Sequence, residues 1–555
     1  MKKRPYSALH IGNFKAFGET QTIPIKPITL IFGPNSAGKS SIIQSLIFAH
    51  EAATQYRGKQ SPLDVHTTVL GGDSIDLGGF DNFIHRSSSA APTAAPPTSD
   101  QVEWGLDFPI TGSLQTVFPA SRSISLRIKF GRISKSLIEQ VDEEGLSGEI
   151  EIPHRILTVS SVQIRVDGVD FCRFDVDCEP DPTFMGNTTL ELTSLQLENP
   201  AVSALLDNAI GLASARYSNE FDRAMEKMAL PESNSTARTR RQLARQGLNT
   251  ISLALGSSNH SLLDFYVFSS IPYKANDSSA AEEPPRKQSR KVDELSAELT
   301  DCIKNVLAST RRILSRVHYL GPLRQVPERL LILPKEAESF SNADGMQSYK
   351  ELLHRPELVE QVSAWLEKLE FGYTLERETL IRSSRLKEIP SKDAIRPVGT
   401  DDIPHLFLRD RRTGIEVSMK DIGAGVAQAL PVISSLVSAH RSVVAIEQPE
   451  LHLHPRLQAE LGDLFIESAI AKRNTIIAET HSEHLILRIL RRIRETTNDE
   501  LPEGMKSLCP DDVCVMYVQP GEGGSTAMQL EITPGGDFVQ RWPDGFFSER
   551  LEELF

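Results

Sequence analysis

Three short stretches of unbroken apolar residues stand out from an otherwise mixed chain: "ITLIF" at 28–32, "SVVAI" at 442–446 and "NTIIA" at 474–478. Continuous runs of this length predict strands buried on both faces. A further strand is expected in "LHIGNFKAF", joined to the first run by a polar, proline-bearing connection. A helix is expected from about Lys39 through "KSSIIQSLIFAHEA". Between residues 100 and 180 the pattern changes to period two. "SISLRIKF", "SGEIEI", "SVQIRV" and "FCRFDVDC" alternate at short spacing and predict an antiparallel sheet. Beyond residue 200 the pattern becomes helical. "VDELSAELTDCIKNVLASTRRILSRV" places Val292, Leu295, Leu299, Cys302, Val306, Ile313 and Val317 near one helical face. From about residue 403 strands and helices alternate again.

The Pro-, Ala- and Ser-rich "SSSAAPTAAPPTSD" at 87–100 reads as a surface loop, and "ALPESNSTARTRRQ" and "KANDSSAAEEPPRKQSRK" read as mobile interruptions. No internal repeat is legible. These shifts divide the chain into 1–195, an N-terminal α/β part with an antiparallel β subdomain; 196–395, a mostly helical insertion or arm; and 396–555, a C-terminal α/β part.

Bulk composition adds mainly exclusions. The 555 residues are 39% hydrophobic and 24% charged, ordinary for a globular protein, and the net charge of −14 argues against a uniformly basic nucleic-acid sleeve. Five cysteines form no C-x-x-C pair, which disfavours a zinc or disulfide framework. The basic N-terminus lacks an apolar core and no segment is apolar for long enough to span a bilayer, so a cytoplasmic protein with no membrane partner is expected.

The chemistry begins at "GPNSAGKSS", which fits G-x-x-x-x-G-K-[ST] with Gly33, Gly38, Lys39 and Ser40, and spans Asn35 and Ser41. It follows a buried strand and opens a helix, the context this motif requires. Glycines let backbone N–H groups wrap phosphates at the positive end of the helix. Lys39 is expected to reach the β- and γ-phosphates of ATP, and the Ser40 hydroxyl to ligate Mg²⁺. Such a loop demands a strand-end carboxylate as metal partner, and Glu447 closes the run "SVVAIEQPE". His481 ends the third apolar strand, where an imidazole can sense the γ-phosphate. In "MKDIGAGVAQALP", Asp421 is expected to N-cap a helix whose Gly423 and Gly425 leave a bare end, suited to a nucleotide bound by another subunit.

Residue 448 raises a question. A second acid would polarise the attacking water, but Gln448 stands there. An amide can orient water and cannot accept its proton, so slow turnover is expected, with Glu450 or Glu479 able to stand in.

Together these segments resemble the ABC-type ATPases of the structural-maintenance-of-chromosomes, RecF and OLD class. More narrowly, "YLGPLRQVPER", "DIGAGVAQALP", "ETHSEHLILRILRRI" and "RWPDGFFSERLEELF" resemble a bacterial AAA ATPase subfamily. The resemblance covers 1–85 and about 317–555, and it is poor or absent over 87–316. It implies an α/β ABC-type P-loop ATPase head split by a long, largely helical insertion, and a head-to-tail dimer with ATP sandwiched between one subunit's Lys39 loop and the other's Gly423–Gly425 helix end. It also suggests anti-phage defence beside a partner nuclease such as an HNH protein, as in Septu-type ATPases including retron-associated ones, with a reverse-transcriptase or nucleic-acid complex as a further partner. The alternative is a DNA-repair or chromosome-maintenance ATPase of the RecF kind without a toxic partner.

No nuclease constellation is legible in the chain itself: His452 and His454 lie in the turn beside the nucleotide, and too few residues follow "DDVCVMYV" for a TOPRIM domain. Basic residues Arg238, Arg240, Arg241 and Arg245, with the run Arg286 to Lys291, are candidates for nucleic-acid contact. Arg488, Arg491, Arg492 and Arg494 are expected to be structural.

Overall fold

The computed structural model describes residues 8–54, 77, 80–86, 101–139, 150–176, 189–196, 199–202, 251–255, 265–269, 286–329, 343–380 and 403–543. A six-stranded sheet organises the molecule, in the order β11 (Val317–Leu320), β15 (Val443–Glu447), β16 (Thr475–Glu479), β3 (Ile28–Phe32), β17 (Val513–Gln519) and β18 (Thr526–Leu530). The first five run parallel and β18 closes one edge antiparallel.

All five residues of β3, β15 and β16 are buried, as their unbroken apolar runs predicted. Their side chains alternate between two cores. Ile31, Val443, Ala445, Ile477 and Met516 face one side, packed with Ile42, Leu46 and Phe48 of helix α1 (Lys39–Thr54). Leu30, Val444, Ile446, Ile476 and Val515 face the other side. There they meet helices α3 (Met346–His354), α4 (Pro356–Lys368), α5 (Ala424–Ser438), α6 (Pro455–Ile470) and α7 (Glu483–Thr497). Covering both faces buries the apolar runs fully, and each buried Leu, Ile or Val contributes roughly 1.5–3 kcal/mol.

The first core continues into a nine-stranded antiparallel sheet in the order β10-β9-β8-β7-β6-β5-β4-β1-β2. Its strands are β1 (Ala8–Gly12), β2 (Gln21–Pro24), β4 (Gln101–Pro109), β5 (Ser123–Glu139), β6 (Ile150–Val166), β7 (Val169–Val176), β8 (Thr189–Leu195), β9 (Ile251–Leu255) and β10 (Phe265–Ser269). The last three residues of "SGEIEI" and all of "SVQIRV" lie on the single strand β6, and the first three residues of "SGEIEI" lie outside the described residues. The connection expected between the first two strands itself contains β2, which pairs with β1 through Ala8↔Pro24 to Ile11↔Gln21.

The stretch expected as insertion is less uniform than its pattern suggested. Helix α2 (Arg286–Leu314) buries Leu299, Cys302 and Val306 of the predicted apolar face, together with Ile303, which the pattern did not single out, but Val317 belongs to β11. Strands β9 and β10 extend the antiparallel sheet, and β11 is an edge of the parallel one. A third sheet, β12 (Tyr373–Leu380), β13 (Ile403–Asp410) and β14 (Glu416–Val417), pairs across the expected boundary at 395. Residues 87–100 lie outside the described residues, as do Arg238, Arg240, Arg241 and Arg245. No helix among the described residues is long and apolar enough to cross a membrane.

Candidate nucleotide site

The register of the parallel sheet gathers the chemistry at one edge. Glu447 is the direct neighbour of Glu479, and Glu479 of Ile31, so β15, β16 and β3 all end together, where open α/β sheets bind ligands. The loop after β3 is shaped by close approach. Gly33 has φ 143° and a Cβ there would meet the Val518 carbonyl oxygen at 2.1 Å; Gly38 has φ 96° and a Cβ there would meet Ala16 at 2.3 Å. Asn35 is exposed at the loop tip, whereas Ser41 is buried beneath it. Helix α1 begins at Lys39 with no acid in its first turn, leaving its positive end for an anion.

The Lys39 ammonium donates to the Pro34 carbonyl at 2.8 Å and lies 3.9 Å from Glu479. Burial lowers its pKa, and Glu479 and Glu450 oppose that shift. The Ser40 hydroxyl donates to Glu479 Oε2 at 2.6 Å, while Glu447 Oε1 accepts from the Tyr319 hydroxyl at 2.9 Å. The expected metal pair, Ser40 with Glu447, is therefore widened: Ser40 is bonded to the acid on the neighbouring strand, and Glu447 stands beside both. Burial, then the charge of Glu479, raises Glu447 to about 7. Glu447 and Glu479 are adjacent buried carboxylates, and Glu447 is raised by burial and then by its neighbour's charge; a divalent cation would supply positive charge between them, so these residues fit Mg²⁺.

Glu450 is buried and its pKa is raised by that burial. Its Oε1 accepts from the backbone N–H of His481 at 2.7 Å, and its Oε2 has no hydrogen-bond partner. His481 is half-buried, and desolvation and the Lys39 charge lower its pKa, favouring neutral imidazole. Gln448 takes a left-handed backbone, φ 45°, with its N–H donating to the Glu479 carbonyl at 2.8 Å.

The cap expected of Asp421 is not formed. Ile422 and Gly423 are extended, so helix α5 starts at Ala424 with Gly423 as its N-cap and no side-chain capping bond. Asp421 closes a short 3₁₀ turn instead, and its carboxylate is held by both ends of the Arg329 guanidinium. The bare end is retained, with Gly423 exposed. No hydrogen bond or ion pair described here joins Asp421, Gly423 or Gly425 to the phosphate loop of the same chain. A Cβ at Gly425 would meet the His452 carbonyl oxygen at 2.8 Å. His454 caps helix α6, its Nδ1 accepting from Arg456 N. The arginines of "LRILRRIR" are paired within the body: Arg488 and Arg492 with Asp463, Arg491 with Glu495, Arg494 with Asp537.

Sequence reasoning gave no role to Tyr319 or Arg324. Arg324 is buried; its Nη2 donates to the carbonyls of Glu447, at 2.7 Å, and Gln448, at 3.3 Å. The available signal was the segment "YLGPLRQ" beside an apolar strand, which names no partner.

Two AAA-domain family models match separate parts of the chain. One, described as an AAA domain, matches residues 8–85; the other, described as an AAA domain, putative AbiEii toxin, Type IV TA system, matches residues 276–488. The phosphate loop lies in the first match, and Glu447 and His481 lie in the second. Solved structures similar in outline include the Smc head domain with an extended coiled coil from Pyrococcus furiosus, bound to the C-terminal domain of ScpA. It has 12% identity and a TM-score of 0.36, covering 99% of each chain. The SMC head domain from Thermotoga maritima has 10% identity and a TM-score of 0.33, covering 96% of this chain and 100% of its own. No curated protein matches the chain in sequence.

Proposed function

We propose that this protein binds ATP and Mg²⁺, dimerises head-to-tail around two nucleotides and hydrolyses them slowly, acting as a sensor and scaffold for a partner nuclease in anti-phage defence. One observation carries the ATPase reading: the glycine loop, three buried glutamates and His481 converge at one end of the parallel strands. Ser40 with Glu447 and Glu479 would hold Mg²⁺, which supplies neutralising charge to the phosphates when bound. Lys39 exchanges its loop carbonyl for phosphate oxygens. Gln448 orients water without taking its proton, and Glu450, buried with one oxygen unpartnered, is the group suited to accept that proton. The uncapped end of α5 supports the sandwich, because an open helix N-terminus suits the partner's γ-phosphate.

The defence setting is supported by the TA-system wording of the matched family and by the segment resemblances. In this reading nuclease chemistry belongs to the partner, an HNH-type subunit or a complex with reverse transcriptase, in the cytoplasm. Arg238, Arg240, Arg241 and Arg245 are the proposed nucleic-acid contacts. Equilibrium ATP binding with light scattering tests the core of the proposal. The native chain is expected to bind ATP and double its mass, and Lys39→Ala to weaken binding at least about 100-fold and stay monomeric. Unchanged binding by Lys39→Ala would refute the site.

A further inference from the structure

Arg324 sits where the two halves of an ATP sandwich would have to communicate. It follows β11 in the loop beginning at Gly321, and that loop is pinned by Gly321 N to the Ala343 carbonyl at 2.8 Å and Gln325 N to the Asp344 carbonyl at 2.8 Å. On one side its guanidinium holds the carbonyls of Glu447 and Gln448, the turn that carries the metal acid and the water-orienting amide. On the other side it is clasped by Gln428. The Gln428 side-chain amide donates to the Arg324 carbonyl at 2.8 Å, its oxygen accepts from Arg324 N at 3.3 Å, and its own carbonyl accepts from Arg324 Nη1 at 3.4 Å. Gln428 lies on α5 just beyond the Gly423–Gly425 end. The same helix end that would read the partner's nucleotide is thus tied by a buried cation to this subunit's own hydrolytic turn.

We infer that Arg324 is a positioning residue that couples the two ATP sites: the partner's γ-phosphate, by seating α5, sets through Gln428 and Arg324 the placement of Gln448 over this subunit's own ATP. The inference rests on the head-to-tail dimer proposed above. Arg324 has no role in binding either nucleotide directly; it acts on Gln448 through backbone carbonyls. A hydrogen-bonded, buried bracket between two elements is the physical kind of link that transmits such coupling. The left-handed backbone at Gln448 is held from both sides, by Glu479 through its N–H and by Arg324 through its carbonyl.

The test uses the full-length chain with Gln428→Leu, which cuts the clasp, and Arg324→Lys, which keeps a cation but cannot span both elements. Equilibrium ATP binding, mass in ATP, and single-turnover and steady-state hydrolysis against ATP concentration are read for each. The native dimer is expected to hydrolyse with a Hill coefficient above 1. Both variants are expected to bind ATP within about twofold of native and still dimerise, while kcat falls about tenfold and the Hill coefficient drops to about 1. Variants that dimerise and hydrolyse with native kcat and cooperativity would overturn the coupling while leaving the dimer intact. A native chain that never dimerises in ATP would overturn the sandwich reading itself, and the coupling with it. Where Arg324→Lys fails to fold, as judged by its melting curve, Gln428→Leu decides alone.

Discussion

Glu447 and Glu479 end neighbouring strands as a register pair, both buried, so their charges repel one another. Burial, and then the charge of Glu479, raises Glu447 to about 7. A carboxyl whose folded pKa is raised stabilises the fold where it is protonated, fully so below its ordinary value, and that contribution is lost as pH rises through about 7. Metal-free native protein is therefore expected to lose on the order of 2–3 kcal/mol relative to Glu447→Gln between acid pH and neutrality. Mg²⁺ with ATP should abolish the difference. Paired melting curves across pH, with chelator and with Mg-ATP, check this; parallel curves for the two proteins in chelator would contradict it.

Among the elements, α5 is the most informative. Its two glycines serve different ends. A Cβ at Gly425 meets a backbone oxygen, so Gly425→Ala should cost about 1–3 kcal/mol in denaturant unfolding. Gly423 faces open space, so Gly423→Ala should cost under about 1 kcal/mol yet weaken ATP-dependent dimerisation, separating fold from contact. Helices α6 and α7 are locked by the buried Asp463–Arg492 pair at 2.7 Å, shared with Arg488. Arg492→Ala should cost about 3 kcal/mol in the same assay, by leaving Asp463 buried with half its support. A cost near zero would show that Arg488 alone suffices.

These elements also show what a sequence makes legible. β3, β15 and β16 were readable because burial on both faces forces continuous apolar runs, and the glycine loop because its motif encodes its own backbone geometry. The four-residue β2, with only Ile23 buried, carries too little pattern to be seen, and β6 reads as two strands because "PHRILTVS" breaks the alternation. The cap on α5 was misplaced because two extended residues separate Asp421 from the helix, and nothing local marks that offset. The bonds from Ser40 to Glu479 and from Arg324 to the Glu447 carbonyl join residues hundreds or more than a hundred positions apart. No period or spacing encodes such pairs.

At the scale of the molecule, the parallel sheet divides labour between its two faces. One face packs on α1, which follows the phosphate loop, and on the antiparallel sheet; the other packs on α5, α6 and α7, which carry the parts proposed to meet a second subunit. The proposed function requires this head to clamp ATP and to cleave it slowly because residue 448 is an amide. Single-turnover hydrolysis by the native chain beside Gln448→Glu and Glu450→Gln, with mass recorded throughout, tests it most directly. The expected result is a native dimer holding largely uncleaved ATP, acceleration by Gln448→Glu of roughly 10²-fold, and loss of the residual rate in Glu450→Gln. Native turnover as fast as that of Gln448→Glu, unaffected by Glu450→Gln, would contradict it.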